Sequence, residues 1–350
     1  MGTETDWPMF RYGPQRTGHF PGSGPAGKPD VAWSLDLSAP PAYVVSGDTV
    51  FVADPLNSVL FAVESGSGDT EWEYEFDHSQ GDSVLVDNAT EGVVCVSDDG
   101  LIDQITFAGR HRLQQDSEVG VIRGDRHVLS CEGVLYIGGL AGAKQIDLLS
   151  GKRRSLDAVP WSEGLAYDNG ELFVLSGSNV GSVVVSSGRL NWNVSVHERN
   201  SDSAGIGGTS EYVGVNGQNV FIGRDTSLIV LDRSTGSERW RVSADSYFPP
   251  VLTEDHVYRR VDRGIAAVDT ETQSEQWRFE GSESPPVAPV VADDVLFTGD
   301  YATTEADVYA LDRQTGDLIW KRSGLKDLYE LVVAEDQLIA GCGNGIVMME

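Results

Sequence analysis

The chain is short of cysteine and of long apolar runs, and each shortage excludes a class of protein. The three cysteines, Cys95, Cys131 and Cys342, are odd in number and far apart, which excludes a disulfide framework and a cysteine-based zinc site. The longest apolar runs are only a few residues, such as 93–96, which excludes a membrane-spanning helix. Residues 1–6 lack the basic, apolar start of a secretory signal. We therefore expect a cytoplasmic protein, with a cell-surface or extracellular location as the alternative if a signal has been removed.

Lysine is scarce as well, and the charge balance is strongly acidic. Only five of 350 residues are lysine, and 54 acidic residues face 25 basic ones, for a net charge of −29. A field of this sign repels phosphate backbones and anionic lipid, which argues against nucleic-acid binding and membrane insertion. Acid-rich, lysine-poor chains are typical of halophilic archaea, where molar salt screens repulsion to about 3 Å. An ordinary acidic protein is the alternative.

An internal repeat is the strongest pattern in the sequence. Segments 230–240 and 310–320 both read apolar-Leu-Asp-Arg-x-Thr-Gly-x-x-x-Trp, and looser copies occur elsewhere. Leu113 and Leu156 occupy the tryptophan position in two degenerate copies, and successive copies are 36 to 48 residues apart. We expect the tryptophans of this register to dock one repeat on the next: Trp33, Trp72, Trp192, Trp240, Trp277 and Trp320.

Each repeat is predicted to form four strands, A to D. In residues 285–322 the strands are 289–292, 295–298, 307–311 and 318–320, with Gly316 in the last hairpin. About 40 residues is the size of one propeller blade. Eight A–B–C triplets occur, but the last lacks a D strand, while the D-type strand 31–35 precedes the first triplet. We therefore predict an all-β, eight-bladed β-propeller over residues 31–350, closed by its N-terminal strand, with residues 1–30 as an extended strap.

These motifs resemble the quinoprotein-like (PQQ-like) β-propeller repeat, within the broader WD40/YVTN-like group, of haloarchaeal type. The Trp-Pro-x-Phe…Arg-Thr-Gly sequence of residues 7–18 also looks like a leader of that family. The resemblance implies that the tryptophan packs between blades. The quinone-dependent dehydrogenases of the family carry an adjacent cysteine pair, calcium ligands and a catalytic aspartate, and this chain has no adjacent cysteines.

The sequence is therefore more similar to the short, non-catalytic members, such as the propeller lipoprotein of bacterial β-barrel assembly. That resemblance implies a protein-binding scaffold with no cofactor and no catalytic or metal-binding residues. A PQQ- or metal-dependent oxidoreductase that uses the channel mouth, with PQQ and calcium, is the alternative. The six histidines are dispersed and no nucleophile motif is present, which favours the non-enzymatic interpretation.

A basic cluster interrupts the acidic chain near residue 260. In a propeller, the B–C and D–A connections share one face around the channel mouth, and several arginines and aromatic residues fall in them. Arginine suits carboxylates and phosphates, so the expected partner is another protein or a small anionic ligand. Internal Arg–Asp pairing is the alternative, and the insertion at 197–204 is a further candidate binding loop. The candidate ligand-binding residues are Arg224, Arg260, Arg263, Trp161, Tyr247 and Tyr301.

Overall fold

The described chain is all-β and forms eight sheets around a central channel. The computed structural model describes residues 6–81, 83–120, 124–196, 212–224, 227–243, 249–281, 284, 286–302 and 304–350. Within them, every sheet contains four antiparallel strands, and one sheet gains a fifth, parallel strand. The predicted eight-bladed propeller is thereby confirmed.

The blades follow one another along the chain. Blade 1 consists of β3 (Ala42–Ser46), β4 (Thr49–Asp54), β5 (Val59–Glu64) and β6 (Thr70–Glu75), and blade 2 consists of β7 (Ser83–Asp87), β8 (Gly92–Val96), β9 (Leu101–Thr106) and β10 (His111–Asp116). Blade 3 consists of β11 (Val128–Cys131), β12 (Val134–Gly139), β13 (Gly142–Asp147) and β14 (Arg153–Ser155), and blade 4 consists of β15 (Gly164–Asp168), β16 (Glu171–Ser176), β17 (Asn179–Val184) and β18 (Arg189–Ser195). Blade 5 consists of β19 (Tyr212–Asn216), β20 (Asn219–Arg224), β21 (Ser227–Asp232) and β22 (Glu238–Ser243), and blade 6 consists of β23 (Val251–Leu252), β24 (His256–Val261), β25 (Gly264–Asp269) and β26 (Glu275–Glu280). Blade 7 consists of β27 (Val290–Ala292), β28 (Val295–Gly299), β29 (Ala306–Asp312) and β30 (Leu318–Leu325), and blade 8 consists of β31 (Leu328–Ala334), β32 (Gln337–Cys342), β33 (Gly345–Met349) and β2 (Val31–Asp36).

The first strand of each blade, strand A, lines the channel. Neighbouring A strands contact each other around the ring, as in β3 with β7, β11 with β15 and β27 with β31. Because strands alternate in direction, the A–B turns and C–D hairpins lie on one face, which we call the AB face. The B–C and D–A connections lie on the other, the BC face. Apolar side chains of adjacent sheets fill the space between blades, where complete burial of each is worth about 1.5–3 kcal/mol.

Blade 8 is closed without a covalent hairpin, as the sequence predicted. Strand β2 pairs with β33, and Leu35 lies opposite Ile346 in this pairing. Beyond the strands, Asp30 and Glu350 exchange two main-chain hydrogen bonds of 2.9 and 3.1 Å. The pairing satisfies the outer edge of β33, which would otherwise offer unpaired N–H and C=O groups to other chains.

The repeat motif encodes a hairpin and the docking of the preceding blade. The Asp232 carboxylate accepts hydrogen bonds from the amides of Ser234 and Thr235 and so caps the C–D hairpin of blade 5. Gly236 then has a φ of 72°, and the Trp192 ring of blade 4 packs directly on it. The indole of Trp192 donates a 2.7 Å hydrogen bond to the Arg233 carbonyl of the same hairpin. One motif therefore caps a turn and receives the neighbouring tryptophan.

The same indole-to-carbonyl bond recurs at other blade junctions. The indole of Trp33 donates to the Ser65 carbonyl, that of Trp72 to the Phe107 carbonyl and that of Trp277 to the Arg313 carbonyl. Trp320 instead reaches the Pro25 carbonyl at 3.4 Å, because residues 21–30 pass where blade 8 has no covalent hairpin. Trp240 is buried between blades 5 and 6.

In blade 3 the prediction for Leu156 was wrong. Arg154, not Leu156, lies opposite Gln145 in the strand pairing, the position that Trp240 occupies opposite Val230 in blade 5. The Arg154 guanidinium lies on Gly188 of the next blade and donates 3.1 Å hydrogen bonds to the carbonyls of Val185 and Ser186. An arginine therefore replaces the indole at this junction.

Candidate functional site

The N-terminal residues 6–20 fill the AB mouth of the channel. Their main chain runs past the inner strands, and six of the eight inner strands donate an amide to it near their AB ends. Trp7 and Val45 exchange two 2.9 Å hydrogen bonds, and β1 (His19–Phe20) joins β27 as a parallel strand. Carbonyls of the segment also accept hydrogen bonds of 2.7 to 3.2 Å from the amides of five further residues: Val86, Tyr167, Val215, Leu252 and Val291. Residues 6–20 thus cover the inner strands on the AB side of the channel.

Two arginines of this segment point up the channel axis and are almost completely buried. Arg11 donates 2.8 Å hydrogen bonds to the carbonyls of Pro250 and Pro289. Arg16 donates to the carbonyls of Leu165 and Val128, and also to those of Phe10 and Asp125. Burial lowers the pKa of each guanidinium to about 10, so both remain charged at neutral pH.

The carboxyl group of Glu330 lies near the Arg11 guanidinium. Burial raises the pKa of Glu330 to about 8, the charge of Asp125 acts in the same direction, and Arg11 opposes both. The same burial, with Glu330 nearby, raises the pKa of the Tyr43 hydroxyl. Burial at this place therefore disfavours the ionised forms of Glu330 and Tyr43.

We expect Glu330→Gln to stabilise the protein increasingly as the pH rises from about 4.5 to about 8. The folded-state pKa of about 8 lies above the ordinary 4.5, so the stabilising contribution of protonated Glu330 is complete below pH 4.5 and is lost as the pH rises through 8. Glutamine mimics the protonated form. The variant should therefore nearly match the wild type at pH 4.5 and exceed its stability at pH 8.5 by several kcal/mol at most, since the difference grows by up to ~1.4 kcal/mol for each pH unit between 4.5 and 8.

Urea unfolding at the two pH values, in the same salt, measures this difference. Glu335→Gln, at an exposed carboxylate just beyond the same strand, is the matched control and should show no such pH-dependent gain. Equal differences for both variants would remove Glu330 as the cause.

The sequence-predicted ligand residues are distributed over four blades of the BC face. Trp161 and Arg224 meet at one point, because the Trp161 ring lies beside Gly177 and Arg224 donates to the Gly177 carbonyl. Arg260 is 8% exposed, whereas Arg263 is exposed in the B–C turn of blade 6. Tyr301 is exposed on blade 7. Tyr247 and the insertion at 197–204 lie outside the described residues.

Three exposed apolar side chains lie in B–C loops, and sequence reasoning predicted only one of them, Tyr301, and missed Leu56 and Leu140. Leu56 on blade 1 and Leu140 on blade 3 are 66% and 67% exposed, and Tyr301 on blade 7 is 51% exposed. All three lie on the BC face, on different sides of the ring. Large exposed apolar residues that share one face of a protein are typical of surfaces that bind other proteins.

The cysteines of the described residues lie far apart in the fold. Cys95, Cys131 and Cys342 are free thiols on three different blades. No group of three or more His, Cys, Asp or Glu side chains in the described chain is arranged to hold a metal ion.

Comparisons with known proteins agree with this architecture. The family described as outer membrane protein assembly factor BamB matches residues 177–348. Among solved structures, BamB from Moraxella catarrhalis has a TM-score of 0.72 at 16% identity, covering 92% of this chain and 99% of its own. Quinohemoprotein alcohol dehydrogenase from Comamonas testosteroni has a TM-score of 0.76 at 12% identity, covering 99% of this chain and 80% of its own.

A curated relative matches a shorter stretch. The serine/threonine-protein kinase AfsK of Streptomyces griseus is 27% identical over 199 residues, which is 52% of this chain and 24% of the kinase. The match thus spans about a quarter of that protein's length. Taken with the repeats and the fold, these findings support a PQQ-like β-propeller. No helix in the described residues is long and apolar enough to cross a membrane.

Proposed function

We propose that the protein is a non-enzymatic β-propeller scaffold of a halophilic archaeon that binds another protein through its BC face. The observation that carries this proposal is the asymmetry of the channel. The AB mouth is filled by residues 6–20 of the same chain. The BC face presents exposed apolar side chains on three blades, 1, 3 and 7, whereas the AB face also carries the exposed Leu149. The similarity to BamB, an assembly factor by its name, supports a scaffold role.

The expected partner is a protein surface with apolar pockets and a basic rim. Burying one exposed leucine at an interface is worth about 1.5–3 kcal/mol by area, or roughly tenfold or more in affinity. With a net charge of −29, the protein attracts a basic surface at long range and repels an acidic one. Arg224 and Arg263 would then select carboxylates within that surface.

Blade 3 offers a matched pair of leucines that tests the binding face. Leu140 lies in the B–C loop, and Leu149 lies in the C–D hairpin on the opposite face, with exposed fractions of 67% and 72%. Once a partner has been captured from the native organism, its affinity for the two variants can be measured by calorimetry. We expect Leu140→Ser to weaken binding about tenfold or more and Leu149→Ser to change it less than twofold.

The reverse result would place the partner on the AB face, and equal effects would remove the face assignment altogether. For the oxidoreductase alternative, the protein is mixed with calcium and the quinone and its absorbance recorded after gel filtration. A stoichiometric bound chromophore would contradict the scaffold proposal.

A further inference from the structure

The N-terminal segment is held in the AB mouth by main-chain recognition that is independent of most of its sequence. From Pro8 to Gly18 its carbonyls accept hydrogen bonds from the inner strands of blades 2, 4, 5, 6 and 7. Each blade contributes one amide. This is how an extended peptide binds to strand edges, with the main chain supplying affinity and a few side chains supplying selectivity.

Selectivity comes from the two buried guanidinium groups. Arg11 joins carbonyls that precede the inner strands of blades 6 and 7, and Arg16 joins carbonyls of blades 3 and 4. The rigid, planar fork of a guanidinium suits donation to two carbonyls on different blades at once. Lysine has the same charge but is a point donor, so it cannot reproduce these contacts.

The local conformation of the segment is held by turns of its own and by its site. Within the segment, the amide of Tyr12 donates to the Met9 carbonyl and the amide of Arg16 to the Gly13 carbonyl. Arg11, Tyr12 and Arg16 have φ angles of 57°, 77° and 61°, in the left-handed region that side-chain-bearing residues disfavour. Gly18 has a φ of 65°, and a Cβ there would lie 1.9 Å from Nη2 of Arg11. These angles raise the conformational energy of the segment, and the contacts with the propeller offset that cost. The segment thus behaves as a ligand whose shape is held in part by the surface on which it lies.

A Gly- and Pro-rich connection joins this segment to the propeller. In residues 21–30, Ser23, Ala26, Gly27 and Lys28 are exposed, whereas Gly24 and Pro25 are buried at the junction of blades 7 and 8. A tether of about ten residues keeps the segment at a high effective concentration beside the mouth. The covalent link is thus accessible at 26–27, outside the contacts that hold the segment.

We propose that the AB mouth is a peptide-binding site for a segment with two arginines five positions apart, and that residues 6–20 are its intramolecular ligand. When the segment leaves, the carbonyls of Val128, Leu165, Pro250 and Pro289 and the Glu330 carboxyl face the open mouth. The site then accepts an arginine-bearing peptide of the same pattern. It lies on the face opposite the proposed docking surface and is independent of that proposal.

Cleavage of the connection tests the site in the full chain. A protease sequence inserted between Ala26 and Gly27 leaves every propeller strand, including β2, in the larger fragment. After cleavage we expect the small fragment to co-elute with the propeller in gel filtration. A fluorescent peptide of residues 6–20 should then replace it, whereas the peptide with Arg11→Lys and Arg16→Lys should compete at least tenfold less well. Uncut protein should take up no peptide at the same concentration.

Hydrogen exchange on the uncut protein supplies a second measurement. In the Arg16→Lys variant, the amides of Tyr167, Val215 and Leu252, which donate to the segment, should exchange at least tenfold faster than in the wild type. Amides within the β20–β21 pairing should not change. Equal competition by the lysine peptide, failure of the peptide to replace the cut fragment, or unchanged exchange in Arg16→Lys would each overturn the proposal.

Discussion

Replacing Gly345 by alanine is expected to open the ring at blade 8. A Cβ at this position would lie 1.9 Å from the Leu35 carbonyl oxygen, and Gly345 also has a φ of 141°. The clash is with main chain, so β2 must move. Because β2 is joined to β33 only by hydrogen bonds and packing, no hairpin holds it in place. We expect a loss of roughly 3–4 kcal/mol in the free energy of unfolding, in the range that main-chain strain produces.

Gly264→Ala provides the matched control within a continuous blade. A Cβ at Gly264 would lie equally close, 1.9 Å, to the Phe279 carbonyl, but the outer strand of blade 6 is held by its own hairpin. We expect Gly264→Ala to lower the unfolding midpoint while the protein stays monomeric in light scattering. Gly345→Ala should also form oligomers, since the edges of β33 and β2 become available. A monomeric Gly345→Ala with the stability of Gly264→Ala would show that β2 does not control closure.

Molar potassium chloride is expected to raise the stability of the protein by a few kcal/mol, because it screens a net charge of −29. Strand β6 shows the repulsion locally. Glu71, Glu73 and Glu75 are all exposed and alternate along one strand. Side chains two residues apart on one strand face are ~7 Å apart. That separation lies within the screening length of about 10 Å at 0.1 M salt and well beyond the ~3 Å of 1 M salt.

Thermal and urea unfolding at 0.1 M and 2 M potassium chloride measure the salt effect, and a triple variant locates part of it. Glu71→Gln, Glu73→Gln and Glu75→Gln together should stabilise the protein at 0.1 M and have little effect at 2 M. A midpoint that does not depend on salt in the wild type would contradict both the repulsion argument and the proposed halophilic source. A triple variant that gains equally in both salts would assign its effect to strand propensity rather than charge.

The blade count and ring closure were predictable because the information for them is local. Asp232, Gly236 and the following Trp240 lie within nine residues, and each has a role in its own hairpin or at the next junction. Repetition of that short pattern sets the number of blades. The spare D strand at 31–35 then closes the ring, because eight triplets require eight outer strands.

The filling of the channel was not predictable in the same way. The guanidinium groups of Arg11 and Arg16 bond carbonyls more than 100 positions away in the sequence, so no short sequence pattern indicates these contacts. Arg154 escaped detection because β14 pairs without the bulge found beside Trp240. Exposure of Leu140 depends on which neighbouring loops cover it, and hydropathy does not carry that information.

The closure of blade 8 also sets the order in which the molecule can be completed during synthesis. Strand β2 and the residues that fill the AB mouth are synthesised before all other strands of the propeller. The partner of β2, strand β33, lies about 300 residues further along the sequence. At ~5–20 residues per second, translation of this chain takes roughly 20–70 s. Throughout that interval strand β2 has no native partner in blade 8. The nascent amino terminus must therefore stay soluble while seven blades assemble, and its last contacts form only after the final strand has been made.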